Sequence, residues 1–161
     1  MKPALVIGFG NTLRGDDGAG VLAAEQLAGR LPGVTVETMQ GLQPELAERI
    51  RGFGRVVFLD AGIRHPHIAF TLLGGSPHTA RPGSHSLTPA DLVALCFSLY
   101  GNGPEEALLV EIPAFECGFD TAVTQATQSA ITACIEAVTR LLTSDLAFSA
   151  ILPSAPVEPA A

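Results

Sequence analysis

Ala4-Leu5-Val6-Ile7-Gly8-Phe9-Gly10-Asn11-Thr12-Leu13-Arg14-Gly15-Asp16-Asp17-Gly18-Ala19-Gly20-Val21 stands near the start of the chain, and its reading decides the fold. The apolar run from Ala4 to Phe9 breaks at Gly8 and Gly10, as a buried strand running into a loop does. From Ala19 to Arg30 the apolar positions Val21, Ala24, Leu27 and Ala28 follow helical spacing, with Gly29 and Pro32 as stop signals. A strand, a glycine-rich loop and a helix in that order begin an alternating α/β pattern.

The pattern continues down the chain. Val34 and Val36 alternate with polar neighbours as a second strand, and Pro44 opens a short helix through Leu46 and Ile50 that Gly52 ends. Arg55 to Asp60 is the clearest strand, β-branched and aromatic, and it finishes on a carboxylate. Ile68 to Leu73 is a weaker fourth strand, and Gly74 to Ser86 is an irregular loop dense in Gly, Pro, Ser and His. Thr88-Pro89-Ala90-Asp91 carries the N-cap, N1 proline and N3 acid of a helix start, and Leu92, Leu95, Cys96 and Leu99 continue that helix. Ala107 to Ile112 is a fifth strand, stopped by Pro113, and a last helix is expected from about Thr121 to Leu142. Such alternation predicts a three-layer α/β/α sandwich on a largely parallel sheet.

Composition narrows the class. The chain has 161 residues, enough for one domain with its own core, and 47% hydrophobic against 16% charged residues excludes disorder. A net charge of −7 argues against nucleic acid as a partner. Cys96, Cys117 and Cys134 form no CxxC pair, so free thiols in a reducing compartment are expected. The apolar start is too short for a signal segment and no later run spans a bilayer; no membrane association and a cytoplasmic location are the expectations.

In sheets of this kind ligands bind beyond the carboxyl ends of the strands. Asp17, in the loop after the first strand, and Asp60, at the tip of the third, meet over one crevice if those strands are neighbours. His85 precedes the Thr88 helix on a loop long enough to reach the same place. Two carboxylates and an imidazole suit a borderline divalent cation such as nickel or zinc, with positions open to a substrate. Asp16 and Asp17 equally suit helix capping or Asx-turns, and His65, His67 and His78 read as solvated loop residues. A dinucleotide site is the rival reading of Gly8-Phe9-Gly10. It fails because Leu13 stands where the third glycine belongs, the helix starts late, and Thr38-Met39-Gln40 lacks a ribose-binding acid. No G-x-S-x-G elbow occurs, and Cys117, the one loop thiol, reads as a small packing residue.

The quoted opening stretch closely resembles the N-terminal signature of the nickel–iron (NiFe) hydrogenase maturation endopeptidases. Val56-Val57-Phe58-Leu59-Asp60-Ala61, Ser84-His85-Ser86-Leu87 and Ile112-Pro113-Ala114-Phe115-Glu116 follow in order and at compatible spacing, so the resemblance spans about residues 4–142. It implies a five-stranded sheet of order 2-1-3-5-4 with strand four antiparallel. It also implies removal of a C-terminal extension from a nickel-loaded hydrogenase large-subunit precursor. Asp17, Asp60 and His85 become the catalytic and metal-contacting residues, meeting nickel held by the substrate, with no tightly bound cofactor and room for another divalent cation. Substrate binding falls to Gly10, Asn11 and Asp16 and to Gln40, Gln43 and Glu45.

Two departures stand out. Gln40-Gly41-Leu42-Gln43-Pro44-Glu45-Leu46-Ala47 replaces the common Asp-Gly-Gly-Thr stretch and resembles the subgroup serving soluble, bidirectional hydrogenases. Cys117-Gly118-Phe119-Asp120-Thr121 replaces the usual approach to the last helix, with Asp120 or Thr121 as the expected N-cap. Residues 1–145 are expected to form the peptidase domain, 146–161 a loosely ordered Ala/Pro-rich tail, and the protein a monomer. The alternatives are a metallochaperone-like module that docks on a nickel protein without cutting it, and a peptidase of the same fold with another protein substrate.

Overall fold

The apolar runs that end on glycine, acid or proline are strands in the computed structural model, which describes residues 3–74 and 87–152. They are β1 (Ala4–Phe9), β2 (Val34–Met39), β3 (Arg55–Gly62), β4 (Ala69–Leu73) and β5 (Glu106–Pro113). Their order is β2-β1-β3-β5-β4, with β4 antiparallel to β5 and the other pairings parallel, as the resemblance implied.

Strand alternation sorts the core into two layers. Val6, Val57, Leu59 and Val110 face α1 (Ala19–Leu27) and α4 (Gln125–Thr143). Leu5, Ile7, Val56 and Phe58 face α2 (Leu46–Ile50) and α3 (Pro89–Tyr100). The α/β/α sandwich follows. A Cβ at Gly8 would collide with the Gly20 carbonyl and with Ala24, so the paired glycines let α1 lie directly on β1. α3 begins as expected: Thr88 and Asp91 bond each other's backbone N–H in a capping box, at 3.1 Å each way.

Several boundaries differ from expectation: β3 runs on past Asp60 to Gly62, so that carboxylate lies inside the strand and not at its tip, because Asp60, Ala61 and Gly62 pair with Glu111, Ile112 and Pro113 of β5. α1 stops at Leu27 rather than Arg30, because Ala28 turns to extended backbone and Gly29 takes a left-handed φ of +74°. α4 starts at Gln125, not Thr121, and its N-cap is Thr124 rather than Asp120 or Thr121. Asp120 sits at φ +56°, and the Thr121 hydroxyl donates to the Gly118 carbonyl, so both residues belong to the preceding turn. The stretch expected to open a loose tail is packed instead. Phe148, at the start of α5 (Phe148–Ile151), is fully buried beneath the Arg55 guanidinium, whose carbon lies 4.2 Å from the ring centroid. Arg55 also pairs with Glu106 at 2.9 Å and donates to the Ser144 and Leu146 carbonyls, while Glu106 accepts from the Phe148 amide. The domain therefore extends to at least Leu152, and residues 153–161 lie outside the described residues. No helix among the described residues is long and apolar enough to cross a membrane.

Replacing Phe148 by alanine is expected to cost about 3–5 kcal/mol in urea unfolding. A loss below about 0.5 kcal/mol would mean that the end segment is not part of the core.

Candidate active site

β1 and β3 are hydrogen-bonded neighbours, so Asp17, in the turn after β1, and Asp60, near the end of β3, do share the carboxyl edge of the sheet. Past β1 the chain makes a 3-10 turn, Gly15–Gly18, that folds back over the strand end. Gly10 permits this: its φ is +141°, and a Cβ there would strike the Asp17 carbonyl. Asp17 is half-buried, and its Oδ2 accepts from the Asn11 amide at 3.0 Å, which orients the carboxylate.

Asp60 lies two residues before the end of β3, and its Oδ1 accepts from the Ala61 amide at 2.8 Å. Burial pushes its carboxyl up to about 7; the Ala61 amide offsets part of that, and the charges of Asp17 and Glu111 add to it. Asp60 therefore keeps its proton to near neutrality. Glu111 is the register partner of Asp60 on β5, and its side chain lies alongside Gly62, where any Cβ would crowd it. Sequence reading missed Glu111, although a single acid inside Leu108-Leu109-Val110-Glu111-Ile112 is the same signal that singled out Asp60.

His85 lies outside the described residues, as does the rest of the expected 75–86 loop. Among the described residues no group of three or more His, Cys, Asp and Glu side chains is gathered closely enough to hold a metal ion.

The expected substrate residues divide. Gly10, Asn11 and Gln40 line a cleft of about 230 Å³ together with Thr12, Leu13, Val21, Thr38 and Met39. Gln43 and Glu45 are exposed ahead of α2 and do not line it. Asp16 is corrected: it is fully buried and cannot touch a substrate. Its Oδ2 accepts from the Phe115 and Glu116 amides and the Thr124 hydroxyl, and its Oδ1 from the Thr124 amide at 2.7 Å. Burial alone would raise its carboxyl, but these donors together hold it down at about 2. Cys117 is half-buried, and burial followed by the charges of Asp17 and Asp16 pushes its thiol up, away from a thiolate nucleophile.

The sheet order and flanking helices are those of the hydrogenase maturation proteases, whose fold this chain shares. It is similar to the NiFe hydrogenase maturation protease HycI from Thermococcus kodakarensis KOD1, at 20% identity over 89% of this chain and 94% of that one, with a TM-score of 0.69. It is similar also to the hydrogenase maturating endopeptidase HybD from E. coli, at 21% identity over 86% and 91%, with a TM-score of 0.67. The hydrogenase 2 maturation peptidase from Thaumarchaeota archaeon SCGC_AB-539-E09 gives 21% identity over 88% and 98%, and 0.66. No protein-family model and no curated protein matches the chain. At these identities the likeness establishes the fold.

Asp16→Ala should destabilise the fold by about 3 kcal/mol or more, because it strands several buried donors. Asp17→Ala, which removes one bond to a half-exposed group, should cost about 1 kcal/mol. Equal costs in chemical denaturation would contradict the division of roles between the two.

The pH dependence of Asp60 has a definite sign. Its folded pKa of about 7 lies above the ordinary 3.8, so the folded state holds the proton longer than the unfolded chain. Stability from this group is full below pH 3.8 and declines as pH rises to about 7. Asp60→Asn should therefore gain on the wild type as pH rises, by about 4 kcal/mol at pH ~8, and show no gain near pH ~3. A pH-independent difference in unfolding free energy would refute the assignment.

Proposed function

We propose that the chain is an endopeptidase that removes the C-terminal extension of a NiFe-hydrogenase large-subunit precursor after nickel insertion. One observation carries the reading: Asp17, in the turn after β1, and Asp60, near the end of β3, both singled out as metal-contacting by the resemblance, lie at the carboxyl ends of hydrogen-bonded neighbouring strands, near enough for the charge of one to act on the other. They do so in a fold shared with hydrogenase maturation proteases.

In this reading nickel arrives with the precursor, and Asp17, Asp60 and His85 fill coordination positions that the substrate leaves open. Carboxylate oxygens and an imidazole nitrogen are suitable donors, and docking affinity then tests whether metal has been loaded. Asp17, tethered by the Asn11 amide, supplies a fixed anionic oxygen. A carboxylate beside the polarised scissile carbonyl, Asp17 or Asp60, takes a proton from the attacking water and returns it to the leaving amine. Gln40, in the stretch that resembles the bidirectional-hydrogenase subgroup, lines the cleft beside Asn11 and belongs to substrate recognition. The enzyme works as a cytoplasmic monomer, and Cys96, Cys117 and Cys134 stay reduced.

Incubation with nickel-loaded precursor should give a mass loss equal to the extension. Asp17→Ala, Asp60→Ala and His85→Ala should each lower that rate at least about 100-fold, in line with the loss of a group acting in general acid–base chemistry. Full cleavage by all three variants would sink the proposal, and binding without mass loss by the wild type would favour a docking module.

A further inference from the structure

Of the two edges of the sheet, β2 and β4, the first lies next to the strand that leads to Asp17. β2 is an edge strand, and its backbone groups point alternately toward β1 and away from it. The Ala4 amide bonds the Gly33 carbonyl and the Gly10 amide bonds the Met39 carbonyl. In that alternation Thr35, Glu37 and Met39 face β1, while Val34, Val36 and Thr38 present their N–H and C=O groups to the outside. The Val34 amide is taken by the Leu31 carbonyl. Among the described residues, no hydrogen bond reaches the Val34 carbonyl or the N–H and C=O groups of Val36 and Thr38.

β2 also lacks the usual protections of an edge. Val34-Thr35-Val36-Glu37-Thr38-Met39 has no proline and no lysine, and its register with β1 runs unbroken over six residues without a bulge. Its one charge, Glu37, is tied sideways to Arg49 of α2 and leaves the edge clear. At its carboxyl end the strand runs straight into the cleft lined by Thr38, Gln40 and Asn11, and the Asn11 amide holds Asp17.

We propose that an extended segment of the substrate binds along β2 as an added strand and crosses this cleft to Asp17. The inference rests on the endopeptidase reading and specifies how that site holds its substrate. The occupant is an extended peptide because outward N–H and C=O groups recurring every second residue are matched by another extended backbone. An added strand lies one spacing outside β2, so Asp17, at the end of β1, is two spacings, about 10 Å, away. Three extended residues cover that distance. Val36 and Thr38 thus hold the substrate by its main chain, independent of its sequence, and the cleft reads the residues next to the cut.

Val36→Pro removes only an outward N–H, because the Val36 amide does not bond β1, and proline is tolerated on edge strands. Val36→Ala keeps that N–H and controls for lost packing. In processing of nickel-loaded precursor, Val36→Pro should raise KM about tenfold, the worth of one backbone hydrogen bond, with kcat unchanged, and Val36→Ala, which keeps the N–H, should raise it distinctly less. If Val36→Pro does not fold, amide hydrogen exchange on the wild type replaces it. A synthetic peptide spanning the extension and its ten preceding residues should slow exchange at Val36 and Thr38. An unchanged KM for folded Val36→Pro in a working assay, or unaltered exchange at both amides, overturns the added strand and leaves the endopeptidase reading standing. A wild type that cannot process the precursor overturns both.

Discussion

The buried carboxylate of Asp16 is the interaction on which the rest of the site depends. It gathers the Phe115, Glu116 and Thr124 amides and the Thr124 hydroxyl, and its own amide bonds the Glu116 carbonyl. The loop after β1 is thereby fixed to the loop that leads from β5 into α4. A buried anion is tolerated only when it is this fully bonded. Consecutive residues of a 3-10 turn point about 120° apart, so anchoring Asp16 inward turns its neighbour Asp17 outward. Two adjacent aspartates therefore have opposite tasks, one holding the loops and the other facing the crevice.

That crevice accumulates like charge. Asp17 and Glu111 both raise Asp60, and among the described residues no Lys, Arg or His forms an ion pair with any of the three. Burial chiefly, and this repulsion in addition, lead Asp60 to retain a proton, and a cation brought in from outside would relieve the repulsion. A site that meets metal held by its substrate fits this arrangement.

Much of the fold was legible because strand and helix periodicities in this chain are rarely interrupted. The capping box at Thr88 and the apolar run from Arg55 are local signals and appear where expected, although β3 continues past Asp60 to Gly62. Long-range bonds set what was misread. The α4 start moved because Asp16, more than a hundred residues upstream, claims the Thr124 amide and hydroxyl and makes that residue the cap. The end segment packs because Arg55 and Glu106, register partners on β3 and β5, reach across to it. Asp16 and Asp17 could not be told apart by sequence pattern, since their difference lies in the direction of a turn.

The glycines that invite a dinucleotide reading show why this loop presents an anion rather than binds one. In a phosphate-binding turn, open glycines leave free amides at a helix N-terminus for the ligand. Here Gly8 and Gly20 are consumed by helix-on-strand packing, and the turn at Gly15–Gly18 sits where Gly10 lets its backbone approach the end of β1. The Asn11 amide, the donor nearest a would-be phosphate, already serves the protein's own Asp17 carboxylate. The same glycine density thus yields the opposite arrangement: a loop whose Asn11 amide is satisfied from within and whose carboxylate is held at the end of β1.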